Sequence, residues 1–220
     1  MRIVIVGTGT EIGKTHVTTC LLAHARSRAR RACAYKPIAT GVDGQCDDAE
    51  RHAAALASAY MQPTFAYRRP VSPHLAAREE GRVIDLDVIR RRADEIMLGA
   101  DFVLIEGAGG LFTPLSETLT NVALVQCLLP AVVVLVAPDR LGVLHDVGAC
   151  LLAARGCGVV VSAIVLSTPN EPDESTGSNA RELERMGLGP IAGVFPRASF
   201  DDEESLEVAA RVWETLKVSP

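Results

Sequence analysis

A doubly wound, mostly parallel α/β sheet with helices on both faces is the fold this sequence predicts, and three observations predict it. Short β-branched runs recur along the chain, each followed by a polar loop and then a helical pattern. One of them, Ala131-Val132-Val133-Val134-Leu135-Val136, is a continuous apolar run, the signature of a strand buried on both faces. Aromatic residues make up only 4% of the chain while hydrophobic residues make up 48%, so the core is aliphatic, as in parallel sheets covered by helices. Alternation of strand and helix then selects the α/β class.

Taken in order, strands are expected at residues 2–6, 32–36, 102–106, 131–137, 159–166 and 191–195. Helical patterns lie between and after them at 14–28, 48–59, 86–98, 122–128, 145–155, 179–186 and 205–216. The uncharged stretch 118–138 invites a membrane-spanning reading, but Asn121, Gln126 and Pro130 interrupt it. It parses better as a helix, a turn and a buried strand. The loop 42–47, rich in Gly and Asp, and the loop 167–178, rich in Pro, Ser, Asp and Glu, are expected to be mobile. With no internal repeat and no low-complexity tract, the 220 residues read as one domain spanning 1–220. A chain of this length buries roughly 70% of its unfolded surface and needs no disulfide or metal staple.

The charge balance of 22 Lys+Arg against 27 Asp+Glu, a net −5, argues against nucleic-acid and anionic-membrane partners. The basic runs at 26–31 and at Arg90-Arg91-Arg92 read as solvated helix ends. Six cysteines at 20, 33, 46, 127, 150 and 157 form no CxxC pair and lack closely spaced histidine partners, so free thiols in a reducing compartment are expected. Ile3-Val4-Ile5-Val6 is too short for a signal peptide, and the expected location is the cytoplasm.

In such a sheet, ligands bind beyond the carboxyl ends of the strands. The first strand runs into Gly7-Thr8-Gly9-Thr10-Glu11-Ile12-Gly13-Lys14-Thr15 and then a helix. A glycine loop lets successive backbone N–H groups curl round phosphates, and the helix adds its positive end. Lys14 would reach the β- and γ-phosphate oxygens, and the Thr15 hydroxyl would ligate Mg²⁺. The motif is a variant, because strict spacing puts glycine at position 8, where Thr8 stands and Gly7 lies one residue further out. Its strand–loop–helix context makes the domain one of P-loop NTPase type. The second strand ends in Lys36-Pro37-Ile38-Ala39-Thr40-Gly41, placing a second cation where an anionic intermediate beside a γ-phosphate would need it. The third ends in Phe102-Val103-Leu104-Ile105-Glu106 before Gly107-Ala108-Gly109-Gly110, four apolar residues and an acid that place a carboxylate near the Mg²⁺. Asp47 and Asp48 open a helix, as caps or as part of the site. His74, in Ser72-Pro73-His74, is by itself weak evidence of a ligand.

Taken together, the phosphate loop, Lys36 to Gly41, Ser72-Pro73-His74 and Ile105-Glu106-Gly107-Ala108-Gly109-Gly110-Leu111-Phe112-Thr113-Pro114-Leu115 resemble the dethiobiotin synthetases, densely over residues 1–120 and more thinly beyond. The resemblance implies ATP- and Mg²⁺-dependent closure of a ureido ring on 7,8-diaminononanoate with CO₂. A substrate amine captures CO₂ as a carbamate, which takes the γ-phosphoryl group; the second amine then closes the ring and expels phosphate. Carried over residue by residue, it implies nucleotide contacts from Glu11, Ile12, Gly13, Lys14, Thr15, Asp48, Glu106, Gly107, Ala108, Gly109, Ser167, Pro196, Arg197 and Ala198. Thr15, Asp48 and Glu106 match the Mg²⁺ ligands. Lys36, with Lys14, is implied to be catalytic, and substrate is implied to contact Thr10, Lys36, Thr40 and Gly109. Gly142, Val143, Leu144 and His145 fall where the partner subunit of a homodimer holds the substrate carboxylate. Two residues depart from the pattern: Ser167 stands where many members have an adenine-reading asparagine, and His145 takes a position usually held by Asn.

Two other readings compete. A partitioning-type P-loop ATPase, acting as a nucleotide-driven dimer switch, usually carries a second lysine early in the loop, and Thr8-Gly9-Thr10-Glu11 has none. Nor do the acidic balance and the C-terminal Val212-Trp213-Glu214-Thr215-Leu216-Lys217 clearly supply a DNA-binding surface or a membrane-targeting tail. The amidotransferase-linked synthetases of corrin assembly need a glutaminase domain for which 220 residues leave no room.

Overall fold

The computed structural model describes residues 1–217. In chain order its elements are β1 (Arg2–Gly7), α1 (Lys14–Ser27), β2 (Ala32–Tyr35), β3 (Ile38–Thr40), α2 (Asp47–Leu56), β4 (Phe65–Tyr67), α3 (Pro73–Glu79) and α4 (Leu86–Met97). There follow β5 (Phe102–Gly110), α5 (Asn121–Cys127), β6 (Val132–Pro138), α6 (Val143–Gly156), β7 (Ala163–Ser167), α7 (Asn179–Arg185), β8 (Ile191–Phe195) and α8 (Glu203–Thr215).

Side chains along β1 alternate between two cores. Ile3 and Ile5 pack with residues of α1 and α8, whereas Val4 and Val6 pack with residues of α4, α5, α6 and α7; all four are completely buried. A strand apolar at every position therefore finds helices on both faces. The six-stranded sheet runs β2-β5-β1-β6-β7-β8, and every pairing in it is parallel. Chain order reverses around β1, whose neighbours are β5 and β6, so the crevice for a ligand opens beyond its carboxyl end. On the α8 face, Trp213 is wholly buried with its ring 5.1 Å from that of Phe102. This residue anchors α8 to the sheet.

Several boundaries differ from the sequence expectation. β5 does not stop at Glu106 but continues through the glycines, with Gly7 paired to Gly110, because residues without side chains let the two strands stay close past the loop. β7 begins at Ala163 rather than 159: the segment before it turns at Gly158, exposes Val160, and reaches the ladder only where Ala163 meets Val134. Three elements were not expected: β3 and β4, paired as a small parallel sheet, and α3. The three-residue strands carry too little periodicity to be seen, and α3 opens at Pro73 straight out of a proline-containing stretch that reads as loop. Arg90, Arg91 and Arg92 lie in the middle of α4, not at a helix end; Asp85 caps that helix, and Arg90 and Arg92 pair with Asp87 and Glu95. The loop expected to be mobile at 167–178 is instead laced down. Asp139 accepts from Asn179 Nδ2 at 2.7 Å and from the Gly177 N–H at 2.8 Å, while Asp173 accepts from the Leu141 N–H at 2.8 Å.

Candidate active site

The loop after β1 crosses the carboxyl end of the sheet on unusual backbone. Glu11 and Gly13 take left-handed conformations at φ 56° and 95°. A Cβ on Gly13 would lie 2.2 Å from the Ser167 hydroxyl oxygen, so only glycine allows the start of α1 to press against the end of β7. Lys14 is buried, and its Nζ donates to the Gly9 carbonyl at 2.8 Å, folding back over its own loop. Burial first, then repulsion from Lys36, lowers its pKa to about 8.

Under the loop, four elements bring a polar cluster together. Thr15 from α1 has its Oγ1 at 2.7 Å from Asp48 Oδ1 on α2 and at 2.9 Å from Glu106 Oε1 on β5. Lys36, just past β2, donates from Nζ to Asp48 Oδ2 and to Glu106 Oε1, both at 2.7 Å. His52, a turn along α2 from Asp48, donates from Nε2 to Glu106 Oε2 at 2.9 Å. Burial opposes the charge on Lys36, but Glu106 and Asp48 outweigh it and hold its pKa above the usual lysine value. Glu106 is completely inaccessible; burial would raise its pKa, yet Lys36 and His52 keep the carboxyl well below the usual range. Within the cluster, Lys36 and Glu106 form a buried pair in which each partner favours the charged form of the other.

Its donor set fits Mg²⁺. Thr15 has one hydroxyl proton but two carboxylate oxygens within bonding distance, and a single ammonium faces two carboxylates. Hard oxygens with excess negative charge suit a small divalent cation. Among the described residues no cluster of three or more His, Cys, Asp or Glu is arranged to hold a metal.

A cavity of about 570 Å³ opens over this cluster, lined also by Thr10, Ile12, Thr40, Ala108 and Gly109. A second, of about 680 Å³, continues it past Glu11, Gly13, His16, Arg51, Asn170 and Arg197, which line both, to Ser167 and Ala198. The result is one groove. Gly107 lies inside the sheet rather than on the groove, with Asn121 and Ile5 about it. Pro196 does not line the groove either, but its carbonyl bonds His16 Nε2 at 2.8 Å. Gly142, Val143, Leu144 and His145 lie outside it, at the start of α6. Val143 is completely buried and its N–H already donates to the Arg140 carbonyl at 3.1 Å, which narrows the free amides expected there. His52, Arg51, His16 and Asn170 were not singled out from the sequence. The signal for His52 was present: four residues after Asp48, it shares that helix face.

Residues 1–203 match the family described as AAA domain. The chain is 35% identical over 205 residues to ATP-dependent dethiobiotin synthetase BioD 1 of Salmonella typhi, which covers 89% of both chains. It is 37% identical over 213 residues to ATP-dependent dethiobiotin synthetase BioD of Caulobacter vibrioides, covering 90% of this chain and 96% of that one. Among solved structures, the MinC:MinD cell division protein complex of Aquifex aeolicus superposes with a TM-score of 0.55 at 12% identity, covering 98% of this chain and 94% of that one. The ParA family ATPase of Chlorobium tepidum gives 0.54 at 14%, covering 99% and 93%. These two likenesses are of fold alone.

Proposed function

The chain belongs to the ATP-dependent dethiobiotin synthetase family, and from that premise we propose how its groove performs the ring closure. The substrates are ATP, 7,8-diaminononanoate and CO₂. One amine of the diamine adds to CO₂, losing a proton, to give a carbamate. A carbamate oxygen then attacks the γ-phosphorus and ADP leaves. The second amine attacks the carbonyl carbon of the mixed anhydride, phosphate departs, and the ureido ring is closed.

The phosphate loop, Glu11 to Thr15, with Lys14 above it, holds the triphosphate through backbone N–H groups and one cationic contact. Thr15, Asp48 and Glu106 hold Mg²⁺, which supplies charge neutralisation at the β- and γ-phosphates when bound. Lys36 lies beside both carboxylates and lines the groove, so its ammonium is fixed where the carbamate and the transferring phosphoryl group bring negative charge. Thr10, Thr40 and Gly109 border the diamine, and Ser167, Arg197 and Ala198 border the base. The carboxylate of the diamine is held by Leu144 and His145 from a second copy of the chain, and the working unit is a cytoplasmic homodimer; Leu141, just before α6, and Leu152, within it, are exposed apolar side chains that support such an interface.

The observation that carries this reading is the buried Lys36–Glu106 pair at the floor of a phosphate-loop groove. The switch-ATPase alternative shares the fold, but nothing at the site favours it: α8 is bound into the sheet through Trp213 and offers no free amphipathic face. The test is a product assay with purified protein, the diamine, bicarbonate, Mg²⁺ and ATP, with dethiobiotin detected by mass. Phosphate release is expected to require both diamine and bicarbonate; vigorous hydrolysis indifferent to the diamine would overturn the reading.

A further inference from the structure

Glu106 is crowded. Its Oε1 already accepts from Lys36 Nζ at 2.7 Å and faces Thr15 Oγ1 at 2.9 Å, while its Oε2 has one partner, His52 Nε2, at 2.9 Å. His52 is 3% exposed and Glu106 fully inaccessible, so the bond is shielded from bulk water. Beside His52 lies a cavity of about 80 Å³ lined mostly by apolar side chains, among them Ala34, Ala49, Ala53 and Leu56; of the donors on its wall, Lys36 is already committed to Asp48 and to Glu106 Oε1, and Ser58 is not bonded to the carboxylate. We infer that His52 is a positioning residue of the divalent-cation site, fixing the rotation of the Glu106 carboxylate so that Oε1, and not Oε2, is presented alongside Thr15 and Asp48. The inference rests on the Mg²⁺ site proposed above.

Without His52 the Glu106 carboxylate has more than one way to meet a cation. A carboxylate held on one oxygen alone can swing about its last torsion, which is broad and roughly twofold. Either oxygen could then face the ion, or both could chelate it. A donor locked onto Oε2 removes those states. Asp48 and His52 belong to one face of α2, so the helix that delivers one ligand also orders the other. Outer-shell partners of this kind typically change metal affinity by about 10–100-fold when removed. A rigid, one-oxygen presentation also favours the small octahedral Mg²⁺ over Ca²⁺, which accepts bidentate carboxylates and looser geometry.

The experiment uses the full chain with a non-hydrolysable ATP analogue and measures Mg²⁺ and Ca²⁺ binding by calorimetry. His52→Leu is expected to raise the Mg²⁺ Kd at least tenfold and the Ca²⁺ Kd by less than threefold, so that the preference between the ions collapses. Affinity for the analogue in excess chelator stays within twofold, because the phosphate loop is untouched. His52→Gln, whose amide can still donate to Oε2, recovers most of the Mg²⁺ affinity and the preference; a purely structural role would predict no such rescue. If His52→Leu fails to fold, His52→Asn, whose amide is too short to reach, takes its place with the same expected loss. An unchanged Mg²⁺ Kd in the folded variant overturns the inference and leaves the cation site standing. Failure of the unmodified chain to bind Mg²⁺ overturns the cation site, and the inference with it.

Discussion

The two ends of the groove are built on different plans. At the phosphate end, Thr15, Lys36, Asp48, His52 and Glu106 arrive from four parts of the chain and bond one another, most of them out of water. At the base end the walls are loop: Asn170, Arg197 and Ala198 are exposed, and Ser167 offers one buried hydroxyl. Burying charge demands that every group be satisfied, which fixes residue type and place together. A loop wall makes no such demand, so its residues can change while the fold stays the same. Chemistry common to a family therefore belongs at the first end, and the choice of nucleotide at the second.

The largest effect that could break this contrast comes from Lys36. Lys36→Ala strands Glu106 without its cation, and a broken buried pair costs about 3–5 kcal/mol. Arg197→Ala, at the other end, is expected within about 0.5 kcal/mol of the parent. Urea denaturation of the two variants measures both, and turnover is expected to vanish only in the first. Next in size is Lys14→Ala, which removes a charge-assisted phosphate contact of about 1.5–3 kcal/mol. Nucleotide Kd rises roughly tenfold to a hundredfold, while in Lys36→Ala it changes by less than about threefold; equal losses would move Lys36 into the nucleotide site.

Gly13 joins the two ends and tests whether they are separable. Gly13→Ala forces a side chain into a left-handed conformation and against Ser167, at a cost of about 1–3 kcal/mol. Combining it with Ser167→Gly removes the clash and leaves the backbone cost, so a double-mutant cycle of melting curves is expected to give a favourable coupling. Zero coupling would mean that loop and strand end move independently. Smaller still is Ser167→Asn, which supplies an amide able to make a two-point contact with adenine. It is expected to narrow the kcat/KM preference among ATP, GTP and CTP towards ATP by about tenfold; no change would show the base to be read elsewhere, with Asn170→Ala the next variant to measure. Least of all is thiol chemistry. Burial pushes Cys20 up to about 12 and Cys127 and Cys150 to about 11, so at pH 8 their thiolates are scarce. Alkylation is expected to label exposed Cys157 first, without loss of turnover, with peptide mass mapping as the check.

What the sequence made legible follows the same division. Lys14, Thr15, Lys36 and Glu106 could be assigned because a glycine loop between strand and helix, and an acid after four apolar residues, are patterns with one physical purpose. Asp48 was ambiguous because a first-turn aspartate is also an ordinary helix start; only the fold brings it 2.7 Å from Lys36. His52 was passed over although it stands four residues after Asp48, because that spacing points to a shared site only once α2 is packed against Glu106. Strand centres were right and β8 matched at both ends, but other strand ends were missed, as with β5, where glycine usually marks a stop but here lets the pairing continue. The loop at 167–178 misled because its composition is that of a flexible segment, while Asp139 and Asp173 spend that polarity on internal hydrogen bonds.

The placement of β1 between β5 and β6 has a consequence for the chain's birth on the ribosome. Arg2 to Val6 are made about a hundred residues before β5, whose pairing with them starts at Val103, and longer still before β6, where it starts at Val132. At roughly 5–20 residues per second, the strand waits about 5–20 s before the first of them has been made. During that wait Ile3, Val4, Ile5 and Val6 form a short, charge-free, β-prone segment with both edges open, the kind that pairs with other chains. Conditions that slow elongation, or rare codons placed before Phe102, are expected to lower soluble yield far more than the same codons placed after Pro138.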